Sequence, residues 1–387
     1  MAIDRGHYEG RFEALVKHTF LHHYLPALVN KISFSYDTFV YVDGFAGPWK
    51  SADEQGFSDT SFGIALEALL AAQRIQLKRG HKVRMVAHLV ETDGVAFSQL
   101  EQLAKKYPTM KVNAYNGEFE TYLTSIMQSL NDSDFCFSFI DPKGFGLDLD
   151  VLKPLLSRAS SEVLVNFMYD HLNRFALHPI QGVKDTINAM FLDSEWRERL
   201  DAARTPKERE AVILEAFQTG LKQIGGYKFI PSLTVQKTLS DRTYYHLVFG
   251  TRHSEGLAVF RDSQIKALEA QADVRSSEKS KYKVAKTGQG ELFGGTDKVQ
   301  QDPSSKEIAD GKTGGADYAR QLIADSASGI EWSELWPSVL EHFTIRRSDL
   351  GNAMNALRKS VVINAPGWPS ERHRQPQDGQ VFIRRAD

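Results

Sequence analysis

Five short runs rich in Val, Ile and Phe recur through the first half of the chain, at residues 38–42, 83–90, 111–115, 135–140 and 163–168. Amphipathic helical patterns lie between them, at 62–77, 95–106 and 119–130. Strands of this composition alternating with helices predict βαβ units, and so a parallel sheet with helices on both faces. Two later runs, 227–230 and 244–249, are separated by a short polar segment and read as hairpin-linked strands closing one edge of a mixed sheet.

Open α/β sheets bind ligands just beyond the carboxyl ends of their strands, so the turns after these runs carry the functional signal. The first run ends in Asp43-Gly44-Phe45-Ala46-Gly47-Pro48, where an acidic residue and two glycines let the backbone approach a nucleotide-like cofactor closely. The alternative is a plain glycine-rich turn. The second run ends at Glu91, which either accepts hydrogen bonds from ribose hydroxyls or caps the following helix. Its distance from Asp43 is 91 − 43 = 48 positions, against roughly 20 in dinucleotide-binding folds, which favours a cofactor other than NAD. After the third run, Asn116-Gly117-Glu118-Phe119 offers polar groups and a ring suited to an adenine. After the fourth comes Asp141-Pro142-Lys143-Gly144-Phe145, a carboxylate that can accept from an amino group beside a ring on which a planar base can stack. Tyr169 and Asp170 follow the fifth run, where they either orient a substrate or bond within their own loop.

This order of turns is similar to that of S-adenosylmethionine-dependent methyltransferases. Asp141-Pro142-Lys143-Gly144-Phe145 resembles the Asp-Pro-Pro-Tyr motif of enzymes that methylate nucleobase amino groups, with Lys143 in place of the second Pro and one extra residue before the ring. The segments 41–48, 139–144, 165–170, Trp196-Arg197, 244–249 and 251–253 together resemble the three-Cys-motif partner protein family over about residues 10–265. The resemblance implies a Rossmann-like methyltransferase fold, S-adenosylmethionine as cofactor, and a three-cysteine, radical-enzyme-like protein as partner. On that basis Asp43, Gly44, Phe45 and Gly47 would hold the methionine end, Glu91 the ribose, and Glu118 with Phe119 the adenine. Asp141 and Pro142 would position an acceptor nitrogen on a nucleic-acid base, with Phe145 stacking on a flipped base. The rival reading is a non-catalytic, DNA-binding scaffold for the three-cysteine protein.

The remaining chain divides the expected domains at 1–270, 271–315 and 316–387. The middle stretch is dominated from Arg275 to Gly315 by Ser, Lys, Gly, Asp and Gln without apolar period, which predicts a flexible linker. Within it Gln289, Leu292 and Phe293 resemble the peptide by which bacterial DNA-processing proteins dock on the replication sliding clamp, or else pack back on the body. Beyond it, helical spacing from Trp332 to Phe343, a helix from Ser348, and runs at 361–363 and 381–383 outline a winged helix-turn-helix. Arg346, Arg347, Arg358, Lys359, Arg372 and Arg374 would give it a basic face toward DNA, preferred here over RNA.

With 47 Lys+Arg against 49 Asp+Glu, any basic face must be local, because the chain as a whole is not a cationic coat. The single cysteine, Cys136, excludes a disulfide framework and reads as a small core residue. His18 and His22 lack the Glu and third ligand of a metal site, and Lys17 on the same helix reads as a surface lysine. No apolar run approaches a membrane span, and Met1–His7 lacks an apolar signal core, so a cytoplasmic protein is expected.

Overall fold

The computed structural model describes residues 3–47, 51–53, 56–142, 144, 146–176, 180–193, 195–287, 301–368 and 375–384. The chain forms two units, Met1–His253 and Ser254–Asp387. The first begins with α1 (Phe12–Ile32), β1 (Thr38–Asp43), α2 (Ser61–Lys78), β2 (Arg84–Glu91), α3 (Gly94–Ala104) and β3 (Lys111–Asn116). It continues with α4 (Phe119–Gln128), β4 (Phe135–Ile140), α5 (Leu149–Leu156), β5 (Ser161–Phe167) and α6 (Tyr169–Phe175). Then come α7 (Gln181–Asn188), α8 (Trp196–Ala202), α9 (Pro206–Gly225), β6 (Ser232–Gln236) and β7 (Thr243–Gly250).

The seven strands form one sheet in the order β3-β2-β1-β4-β5-β7-β6, with β1 to β5 parallel and β7 antiparallel to both neighbours. Alternate side chains serve opposite faces. On one face Val40, Val42, Cys136, Ile140, Val163 and Val165 join residues of α4, α5 and α9 in a single apolar cluster. On the other, Tyr24 of α1 lies against Phe137 and Phe249, with ring centroids 5.5 and 5.2 Å apart. Burial on both faces explains why β1, β4 and β5 read as continuous apolar runs, with no residue of any of them left exposed. The chain runs outward from β1 to β3 and returns to place β4 on the other side of β1, so β1 and β4 form the switch point of a doubly wound, Rossmann-like sheet.

One edge differs from expectation. Residues 227–230 contribute only a bridge from Phe229 to Thr251, and the strand forms later, at Ser232–Gln236. Pro231 has no N–H for the ladder and marks the point where regular pairing can begin.

Glu162 in β5 is buried and accepts hydrogen bonds from the hydroxyls of Tyr24 and, at 2.7 Å, Thr251. Burial pushes its carboxyl up to about 7, against the pull of those hydroxyls and of Arg252. A raised carboxyl keeps its proton in the folded state after the unfolded chain has lost it, so the folded state loses stability as pH rises from about 4.5 to 7. Glu162→Gln is expected to raise the melting temperature at pH 8 more than at pH 4, by an amount on the order of 1–3 kcal/mol. Equal shifts at both pH values in thermal melts would contradict this.

The second unit comprises α10 (Ser254–Thr287), α11 (Pro303–Asp325), β8 (Ile330–Glu331), α12 (Trp332–His342), α13 (Arg347–Lys359), β9 (Ile363–Asn364) and β10 (Val381–Arg384). Its antiparallel sheet has the order β8-β10-β9. The expected flexible linker is corrected here, because 271–287 and 303–315 are helical and the domain boundary falls at 253/254 instead of 270/271. Gln271 donates to Ser304 at 2.8 Å, and buried Arg275 pairs with Asp302 at 2.8 Å. The glycines that read as linker are packing surfaces: a Cβ on Gly311 would lie 2.3 Å from the Thr344 carbonyl oxygen, and one on Gly315 3.3 Å from Ile345. Gln289, Leu292 and Phe293 lie outside the described residues.

Candidate active site

The turn after β1 is built around a carboxylate that does not face outward. Asp43 is fully buried; it accepts from the Phe45 N–H at 3.0 Å and from the hydroxyls of Tyr41 at 3.1 Å and Ser61 at 3.2 Å. Burial pushes it up to about 7, partly offset by the Phe45 N–H, while the charge of Asp141 raises it further. Its geometry makes it the brace of the glycine turn and not a direct contact. At Gly44 a Cβ would meet the Phe119 ring at 2.8 Å, so only glycine lets the turn lie on that ring. Phe119 is 1% exposed and serves as the floor beneath the turn, with Phe45 tilted above it at 6.1 Å.

Gly44, Phe45 and Gly47 open onto a cavity of about 770 Å³. Glu91, Glu118, Phe119, Asp141 and Pro142 line the same space, so the turns after β1, β2, β3 and β4 converge there. Glu91 is nearly buried; one of its oxygens accepts from the Asp93 N–H at 2.7 Å and the Thr92 hydroxyl at 3.2 Å. The capping itself falls to Asp93, which accepts from Val95 and Ala96 at 3.0 and 2.8 Å. Glu91 therefore both steadies the turn and borders the cavity. Asn116 instead ties the turn together, donating to the Glu91 carbonyl at 3.0 Å.

At the other end, Asp141 receives hydrogen bonds from Lys17 of α1 and from the side-chain amide of Asn166 at the end of β5. Lys17 was expected on the surface; its side chain is only 14% exposed and lies 5.9 Å from the Phe139 ring centroid. Its signal was a cation set among apolar residues, between Leu15-Val16 and Phe20-Leu21. Asn166 has a buried carbonyl oxygen with no hydrogen-bond partner, and it too borders the cavity. Arg11, Asp59 and Tyr245 complete the wall and carried no motif. The Tyr245 hydroxyl donates to the Glu13 carbonyl, and Asp59 accepts from Arg11, from Ser51 and, at 2.8 Å, from the Ala52 N–H.

Tyr169 and Asp170 do not border this cavity. Asp170 is held below the usual carboxylate range by Lys237, at 2.9 Å, and by Arg174, against the opposing effect of burial. Tyr169 packs edge-on to His246 at 5.7 Å. The within-loop reading of these two residues is the one the geometry favours. Phe145 lies outside the described residues.

His18 is buried against the Tyr8 hydroxyl at 2.9 Å, and burial takes its ring well below the ordinary histidine range. Among the described residues no group of three His, Cys, Asp or Glu side chains is placed to hold a metal, and no helix is long and apolar enough to cross a membrane. In the second unit, Arg347 pairs with Glu255 at 2.8 Å and Asp378 at 2.9 Å, and Arg346 with Glu269 at 3.3 Å. Arg358 lies 4.4 Å from the Trp368 ring centroid, and Lys359 is exposed. Arg372 and Arg374 lie outside the described residues.

No protein-family model matches the chain, and no curated protein matches it in sequence. Among solved structures it is similar to a protein from Legionella pneumophila at 10% identity and TM-score 0.38, covering 62% of this chain and 85% of that one. It is similar to a loganic acid methyltransferase with SAH at 8% identity and TM-score 0.31, covering 72% and 91%. A third is the mycolic acid cyclopropane synthase CmaA1 complexed with SAH and CTAB, at 10% identity and TM-score 0.23, covering 67% and 76%. At such scores these likenesses assign neither family nor activity.

Proposed function

We propose that the chain is an S-adenosylmethionine-dependent methyltransferase whose acceptor is an amino group of a nucleic-acid base. The observation that carries this reading is the meeting of two kinds of turn in one cavity. Glycine and carboxylate turns follow β1, β2 and β3, and an Asp-Pro turn follows β4. The cavity volume of about 770 Å³ falls within the range of small-molecule sites, roughly 300–1,000 Å³. Gly44, Phe45 and Gly47 fit the methionine end through backbone approach, Glu91 the ribose, and Glu118 an adenine edge above Phe119. Asp43 acts through the turn it braces.

S-adenosylmethionine supplies an electrophilic methyl group on a sulfonium. The chain's own task is then alignment, which accounts for much of the rate when an amino lone pair is held in line. Asp141 and the unpaired Asn166 carbonyl are two acceptors side by side, matching the two N–H groups of an amino substituent. Lys17 holds the Asp141 carboxylate from the far side. In the second unit the order α12, α13, β9, β10 supports a winged-helix reading and a role in engaging nucleic acid. A three-cysteine protein remains the proposed partner.

Calorimetry with S-adenosylmethionine tests the reading. Wild type is expected to bind, and Asp43→Ala to bind at least about tenfold more weakly, since loss of one buried carboxylate brace costs more than about 1.4 kcal/mol. Wild type without any heat of binding would leave the scaffold reading and remove the enzyme. Labelled-methyl transfer to genomic DNA and to total RNA then identifies the acceptor.

A further inference from the structure

The cations expected to face DNA on α13 are largely balanced, Arg347 by two carboxylates and Arg346 by one. A denser run of positive charge lies at the end of α10. From Ser276 to Lys286 this helix carries Lys279, Lys281, Lys283 and Lys286 against the single carboxylate of Glu278. No residue of the run is buried, and from Ser280 onward all are exposed. Lys281 pairs with Glu278 at 2.7 Å. Lys279, Lys283 and Lys286 are spaced i, i+4, i+7 and share one face, with Tyr282, 57% exposed, in the same stripe. The run is 11 residues, from 276 to 286, and so about 16 Å long. A helix wetted on all sides gains nothing from tertiary packing, and Ser and Val are weak helix formers, so nothing in its own unit accounts for the segment.

We propose that the last three turns of α10 form a duplex-DNA contact surface, with Lys279, Lys283 and Lys286 on phosphates and Tyr282 at their centre. The inference rests on the nucleic-acid reading of the acceptor and moves the contact surface from α13 to α10. A helix open on all sides can enter the major groove of B-form DNA, about 12 Å wide. The deep, narrow groove of A-form RNA excludes it. Lysine is a point charge without the fork that reads a guanine edge, so the surface grips backbone and reads no sequence. Affinity is therefore strongly salt-dependent and indifferent to sequence.

The test uses the full-length chain, a random-sequence DNA duplex and fluorescence anisotropy across a salt series. The variant K279A/K283A/K286A keeps helix propensity, which circular dichroism verifies. Loss of three phosphate contacts should make the slope of log affinity against log salt shallower by about 2.7, and weaken binding at low salt by about 10–100-fold. A wild-type slope in this variant, with the loss appearing instead in R346A/R347A/R358A, overturns the inference and leaves the nucleic-acid reading standing. Wild type that methylates RNA but binds no duplex overturns it as well. So does a variant that keeps its DNA affinity and loses binding only to phosphatidylserine vesicles, which would assign the surface to a membrane.

Discussion

Gly44→Ala is expected to weaken S-adenosylmethionine binding by at least 100-fold and to lower the stability of the first unit by about 1–3 kcal/mol. The Cβ would stand 2.8 Å from one carbon of the Phe119 ring and 2.9 Å from another. Real side-chain carbons do not approach so closely, and the obstacle is a buried ring with neighbours on every side, not the end of a flexible chain. Either Phe119 leaves its place or the turn lifts away from it. In both cases the floor and the backbone approach of the cofactor half are lost together. Denaturant unfolding and calorimetry on one preparation separate the two effects. A variant with normal affinity and only reduced stability would show that the turn is structural and the cofactor lies elsewhere.

Asp141→Asn carries the second large effect. The exchange preserves shape but removes the charge that receives Lys17 and the Asn166 amide. The acceptor nitrogen then meets an amide of uncertain orientation beside an uncompensated ammonium, and the alignment on which transfer depends is lost. We expect kcat to fall by about 10²–10³, in the range seen for removing one positioned group in a reacting site. S-adenosylmethionine affinity should change by less than about threefold, because Gly44, Glu91 and Glu118 are untouched. Single-turnover methyl transfer at saturating cofactor reads the difference. Unchanged kcat would remove Asp141 from the reacting centre.

How far the chain could be read before folding depended on whether a signal was local. The five parallel strands stand out because each is buried on both faces, and the turns after them because ligand sites in such sheets follow strand ends. Gly44, Glu91 and Asp141 were legible for that reason. The direction of a side chain was not: Asp43 looks like a contact in sequence, and only the positions of Tyr41, Phe45 and Ser61 show it turned inward. Lys17 was missed because its partner is 124 positions away. The segment 303–315 misled for a different reason. Glycines signal flexibility when considered singly, whereas Gly311 and Gly315 are small so that α11 can lie against Thr344 and Ile345. Composition cannot distinguish a glycine that loosens the chain from one that lets two segments touch.

The bonds from Thr238 and Tyr245 to Glu13 span 225 and 232 positions, and they seal α1 against the edge of the sheet beside the cavity. Such long loops close late and make folding slow. During synthesis at about 5–20 residues per second, the helix bearing Lys17 waits roughly 12–45 s for its partner strand. Over that interval α1 exposes the apolar face that later covers Phe137 and Phe249. A nascent chain of this protein is thus a strong candidate for chaperone capture at its first helix, and catalytic competence is among the last properties it acquires.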